Sequence, residues 1–296
     1  MSNWETMSQD ELEKQYSPSR WSHRMSPDEV VKSHVTALRA GTENAQRISQ
    51  TQLNIPYGEG EDEKLDMYMP HNFSPNCPLL IYIHGGYWQF LTLSCTVKEE
   101  SGFMAASLVP KGVAVVAVDY SIAPKGNMDL MVSQVRASVV SIMQRYPSSE
   151  LYLCGHSAGA HLVAMVLSAD WSKYNVTPDI KGAFLLSGIY DIVPIVSTYV
   201  NEPLTMTNEV ALRNSPMCLL HQLKGSISTD VVIAVAEHDS PEFRRQSKDY
   251  YKSLKSMGLR ATFEDVPNTD HFNILEKFVD HDYSLTQLLL KMMGKD

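Results

Sequence analysis

Clustered positive charge is missing from this 296-residue chain: 25 lysines and arginines stand against 34 acidic residues, for a net charge of −9. A nucleic-acid surface needs concentrated lysine and arginine to displace the counterions of phosphate, so that class of partner is excluded. No apolar run reaches the roughly 18 residues that would suggest a membrane span. The start, Met1-Ser2-Asn3-Trp4-Glu5, has neither the positive segment nor the apolar stretch of a secretory leader, and the end, Met293-Gly294-Lys295-Asp296, is no retention or peroxisomal address. The expectation is a soluble intracellular protein with no membrane partner. Cysteine is scarce: Cys77, Cys95, Cys154 and Cys218 are dispersed without a C-x-x-C pair, which predicts reduced thiols rather than a disulfide framework or a zinc site. Neither H-E-x-x-H nor a phosphate-cradling glycine loop occurs, so no metal and no cofactor is expected.

Internal repeats, low-complexity tracts and long linkers are also missing, which predicts one domain over residues 1–296. From about residue 51 onward, strand-like runs at 65–69, 79–83, 113–119, 151–154, 182–187, 231–235 and 261–266 alternate with helical ones. That alternation predicts an α/β fold with a mostly parallel central sheet and helices on both faces. Residues 188–225 show little strand character and read as a lid-like helical insertion. Residues 1–50 read as a polar N-terminal extension with a helix around 27–39.

The richest stretch is Gly155-His156-Ser157-Ala158-Gly159, a G-x-S-x-G pattern between an apolar strand-like run and an apolar helical one. Those flanks are the ones a nucleophile elbow requires, which makes Ser157 the candidate nucleophile. Upstream, the run at 79–83 ends in His84-Gly85-Gly86-Tyr87-Trp88, where an oxyanion loop belongs. The N–H groups of Gly86, Tyr87 and Ala158 are the candidate oxyanion donors. His84, Gly85 and Trp88 are the candidate substrate contacts, with tight-turn and core packing as the alternative roles of His84 and Trp88. A serine elbow needs an acid and then a base later in the chain. Asp239 follows the strand-like run at 231–235, and His271 follows the last such run. Asp191 competes for the acid but lies one strand too early. Glu237 and Asp270 read as solvated carboxylates or local caps, and His156 and His161 as structural histidines.

His84-Gly85-Gly86, Asp119-Tyr120-Ser121-Ile122-Ala123-Pro124, Gly155-His156-Ser157-Ala158-Gly159 and the late Asp239 and His271 together resemble the hormone-sensitive-lipase-type branch of the α/β-hydrolases. Tyr16-Ser17-Pro18-Ser19-Arg20-Trp21, the H-G-G-x-W form of the loop and Glu237-His238-Asp239-Ser240-Pro241-Glu242-Phe243 narrow the resemblance to the kynurenine formamidase (arylformamidase) family. The resemblance implies hydrolysis of a small-molecule substrate, N-formyl-L-kynurenine, to L-kynurenine and formate. It further implies a cytoplasmic protein, with the nucleus as a second location, and allows a homodimer.

The residues can be weighed against that chemistry. Formyl is the smallest acyl group, and Tyr87 and Trp88 beside the loop are expected to narrow the acyl side. Trp88 is equally a candidate wall for the aryl ring, a contact worth ~0.5–1.5 kcal/mol beyond burial, or a core residue. A broad carboxylesterase, a peptidase or other amidase, and a non-catalytic binding module on the same fold stay open as rival functions.

Overall fold

The computed structural model describes residues 4–89, 97–174, 176–226 and 228–295. Residues 1–3, Cys95 and Asp296, which entered the sequence reading, lie outside the described residues. In chain order the strands are β1 (Gln50–Pro56), β2 (Lys64–Met69), β3 (Leu79–Ile83), β4 (Ala114–Val118), β5 (Leu151–His156), β6 (Ile180–Leu186), β7 (Asp230–Ala236) and β8 (Arg260–Val266). The helices are α1 (Gln9–Gln15), α2 (Pro27–Ile48), α3 (Ala105–Leu108), α4 (Met128–Arg145), α5 (Ala158–Leu167), α6 (Asn201–Leu204), α7 (Asn208–Arg213), α8 (Pro241–Ser256), α9 (Asn273–Glu276) and α10 (Ser284–Met292).

Among the described residues the strands form one sheet in the order β1-β2-β4-β3-β5-β6-β7-β8. β1 and β2 pair antiparallel, as do β2 and β4; from β4 through β8 every pairing is parallel. All five residues of β3 and of β4 are buried, as parallel strands covered on both faces must be. Successive side chains alternate between the faces: Leu79, Ile81 and Ile83 join a core under α4, α5 and α8, while Leu80 and Tyr82 join a second core under α2, α3 and α10.

β1 was not expected from sequence. Six of its seven residues are exposed, so the alternation that would betray a half-buried strand is absent. α2 also runs past the expected 27–39 to Ile48. At its start Glu29 accepts from the Ser26 N–H at 3.2 Å and from its hydroxyl at 2.6 Å. Residues 188–225 carry α6, α7 and 3₁₀ turns and no strand.

Candidate active site

Serine 157 sits where β5 turns into α5, with φ 55° and ψ −119°. That left-handed backbone is costly for a residue with a side chain and persists only when its surroundings over-determine it. Here they do: the Ser157 N–H donates to the Leu186 carbonyl at 2.8 Å, and the His161 N–H returns to the Ser157 carbonyl at 3.2 Å. The flanking glycines answer to contact. A Cβ on Gly155 would meet the Gly159 carbonyl, and one on Gly159 would meet the Ile83 carbonyl. Every residue of α5 is buried, so the elbow is anchored in the core. Ala158 opens that helix, and its N–H has no carbonyl one turn earlier to bond.

The loop after β3 lies directly on the elbow. A Cβ on Gly85 would come within 2.7 Å of the His156 carbonyl and 3.3 Å of the Ser157 Cβ. Gly86, Tyr87 and Trp88 then run consecutively at φ 98°, 52° and 59°. Three successive left-handed residues form a concave turn whose N–H groups can converge on one point. The turn is braced by the Trp88 carbonyl, which accepts from Ala123 at 2.7 Å, and by the Tyr87 hydroxyl, which donates to the Tyr16 carbonyl at 2.7 Å.

At the same edge of the sheet, His271 Nδ1 lies 2.7 Å from Asp239 Oδ1. Asp239 Oδ2 accepts from the Ser187 hydroxyl and, at 3.0 Å, from the Ala236 N–H, so the carboxylate is held at both oxygens. The His271 ring is bordered edge-on by Phe243 with centroids 5.0 Å apart, and by His156 at 4.7 Å. His156 was expected to be structural, and its ring meets the His271 backbone: Nε2 is 2.7 Å from that carbonyl. Burial, with the neighbouring His271 adding to it, holds His156 well below the usual imidazole range. It is therefore neutral and donates Nε2–H to the carbonyl.

Of the other residues weighed in the sequence, Asp191 accepts from the Val193 N–H at 3.1 Å, and burial raises its carboxyl. Glu237 is exposed and accepts from the Asn268 N–H at 2.7 Å. His161 lies 2.6 Å from the Asn214 carbonyl, and burial pushes it down to about 4. Asp270 is a cap, as expected, yet it is 1% exposed rather than solvated.

Two expectations need correction. Trp88 is wholly buried, packed edge-on against His161 at 4.9 Å and beside Tyr87 at 6.0 Å. It presents no surface to a ligand and is a core residue, not an aromatic wall. The Tyr87 side chain is likewise buried, with its hydroxyl spent on Tyr16. Neither ring narrows the acyl side directly; both hold the loop's left-handed backbone. His84, a candidate substrate contact, is 2% exposed and stacks flat on Tyr120 at 4.2 Å beneath the loop. Gly85 keeps partial exposure. Sequence reasoning missed Ser187 and Tyr16 as supports, because neither stands in a pattern that links it to the residue it holds.

A serine hydroxyl on an elbow, a glycine loop of left-handed backbone against it and a buried Asp–His pair make up the arrangement used for acyl transfer. The class follows from fold and site together: residues 80–275 match the alpha/beta hydrolase fold family, and the chain belongs to it. A solved structure of esterase B from Lactobacillus rhamnosis shares the fold, with a TM-score of 0.68 at 15% identity over 90% of this chain and 95% of that one. Within that class the full length is informative. The chain is 70% identical to kynurenine formamidase of Salmo salar and 65% identical to that of Danio rerio, each over 100% of both proteins, and it is a member of the kynurenine formamidase family.

Proposed function

We propose that this enzyme hydrolyses N-formyl-L-kynurenine to L-kynurenine and formate, with Ser157 as nucleophile, His271 as base and Asp239 as the acid that orients it. His271 Nε2 takes the proton from the Ser157 hydroxyl as its oxygen attacks the formyl carbon. Asp239, 2.7 Å from Nδ1, keeps the proton on that nitrogen and stabilises the imidazolium that forms. The N–H groups of Ala158, Gly86 and Tyr87 hold the developing oxyanion, a contribution of about 2.7–4 kcal/mol per donor in comparable sites. His271 then protonates the aryl amine as the C–N bond breaks. Water, deprotonated by the same histidine, attacks the formyl ester and releases formate with the serine restored.

The substrate rests on one observation, the 70% identity over the whole length to a kynurenine formamidase. The geometry supports the class of chemistry and is shared by esterases. A matched series of formyl, acetyl and butyryl amides of one aryl amine, run beside simple esters, tests the reading. kcat/KM should be highest for formyl and fall more than tenfold towards butyryl, since about 1–3 kcal/mol accompanies each methylene that a pocket discriminates. A flat or rising series would move the chain to the broad carboxylesterase reading.

A further inference from the structure

The groups assigned above to the reaction lie between residues 84 and 271, yet the turn that carries His271 leans on a segment near the start of the chain. The Ser22 hydroxyl donates to Asp270 Oδ2 at 2.6 Å, Arg24 Nε donates to the same oxygen at 2.7 Å, and Arg24 Nη2 donates to Oδ1 at 3.2 Å. Asp270 Oδ1 also accepts the N–H groups of Phe272 at 3.0 Å and Asn273 at 2.9 Å. The carboxylate therefore shapes the backbone on both sides of His271. Burial by itself would raise the Asp270 carboxyl, but the bonds from Arg24 and Ser22 prevail and hold it well below the usual carboxylate range. The same guanidinium forks onto Glu276, at the end of the helix that follows His271, at 3.1 and 3.3 Å.

We infer that Arg24 is a positioning residue for His271, acting through Asp270; the inference rests on reading His271 as the base. Arg24 keeps roughly a third of its surface, 29%, whereas Asp270 keeps 1%. An exposed ion pair contributes little, but a buried carboxylate left without its cation must either take up a proton or move. Either change alters the Phe272 and Asn273 turn and so displaces the imidazole that Asp239 holds. A misplacement of about 1 Å at such a site costs on the order of a hundredfold in rate. The rest of the segment reaches the other two loops: the Tyr16 carbonyl takes the Tyr87 hydroxyl, and the His23 ring lies 4.4 Å from that of His238, next to Asp239.

The experiment compares Arg24→Met, Arg24→Lys, Asp270→Asn and the double variant Arg24→Met/Asp270→Asn in the full chain. It measures kcat and KM on N-formyl-L-kynurenine, and the rate at which a small fluorophosphonate labels Ser157, counted per labelled site by mass spectrometry, together with Tm. Arg24→Met should lower kcat and the labelling rate alike, by about tenfold to a hundredfold, with KM changed less than about twofold. Arg24→Lys, which keeps the charge and loses the fork, should recover part of the loss. The double variant should be no slower than Asp270→Asn alone. A labelling rate per site within about twofold of the parent for both Arg24 variants would overturn the inference and leave Arg24 a stabilising residue only, as would losses that multiply in the double variant. If Arg24→Met does not fold, Arg24→Lys decides by the same threshold. A parent chain that labels but leaves N-formyl-L-kynurenine intact would refute the proposed substrate and not the role of Arg24, which the phosphonate reports independently.

Discussion

At the residue scale, the site depends on groups whose removal should be felt very unequally. Ser157→Ala should lower kcat by on the order of 10⁴ to 10⁶ with the fold intact. Steady-state kinetics on purified, folded protein checks this, and a variant keeping a tenth of normal activity would remove Ser157 from the role of nucleophile. Asp239→Asn should be as severely impaired, because His271 Nδ1 takes its carboxylate from Asp239 at 2.7 Å. Asp191→Asn should keep the activity of whatever fraction folds, since that carboxylate serves the Val193 N–H. The reverse ranking by kcat per folded molecule would give the acid's role to Asp191. Ser157, Asp239 and His271 were legible as candidates because each ends or follows a strand-like run, and the C-terminal ends of parallel strands share one edge. Trp88 was not legible: an aromatic side chain has the same composition in a core as in a ligand wall, and only burial separates them.

At the scale of elements, the elbow and the glycine loop after β3 form one packed unit. Gly85→Ala would place a methyl 2.7 Å from the His156 carbonyl, which cannot retreat because its strand is hydrogen-bonded on both sides. The loop must lift instead, and kcat should fall by about tenfold or more while KM for the substrate changes little. Parallel kinetics and thermal melts would show it, and wild-type kcat in a folded Gly85→Ala protein would mean that the loop does not lean on the elbow. Glycine at 85 was visible in the sequence as a turn residue, but its partner was not. The contact joins two stretches some seventy residues apart. β1 escaped for a different reason: an exposed edge strand has no apolar alternation, so its hydrogen bonds to β2 leave no mark on composition.

At the scale of the whole molecule, two buried histidines should contribute to the acid side of the stability profile. Burial pushes His161 down to about 4 and holds His156 well below 6.5. An unfolded chain binds protons at both positions below about pH 6.5, whereas the folded chain does not. Stability therefore rises with pH through this window, is fully present above it, and is lost as pH falls from about 6.5 towards 4. Tm should begin to drop on acidification before the ordinary carboxylates titrate. His161→Gln keeps a donor for the Asn214 carbonyl and cannot be protonated; it should flatten the slope of Tm between pH 4 and 6.5. An unchanged slope in scanning calorimetry would trace the acid sensitivity to other groups.

The sequence by itself determined the class of fold, the order of its strands from the second onward as runs along the chain, and a candidate serine, aspartate and histidine for the site. These follow from local signals: apolar periodicity, and punctuation by glycine and charge at strand ends. Tertiary structure alone decided that Tyr87 and Trp88 brace the loop from the core, that Ser187 and His156 hold Asp239 and His271, and that Arg24 reaches Asp270 across 246 positions. Hydrogen bonds and burial of that kind depend on which surfaces the folded sheet brings face to face, and no short stretch of sequence encodes its own distant neighbour.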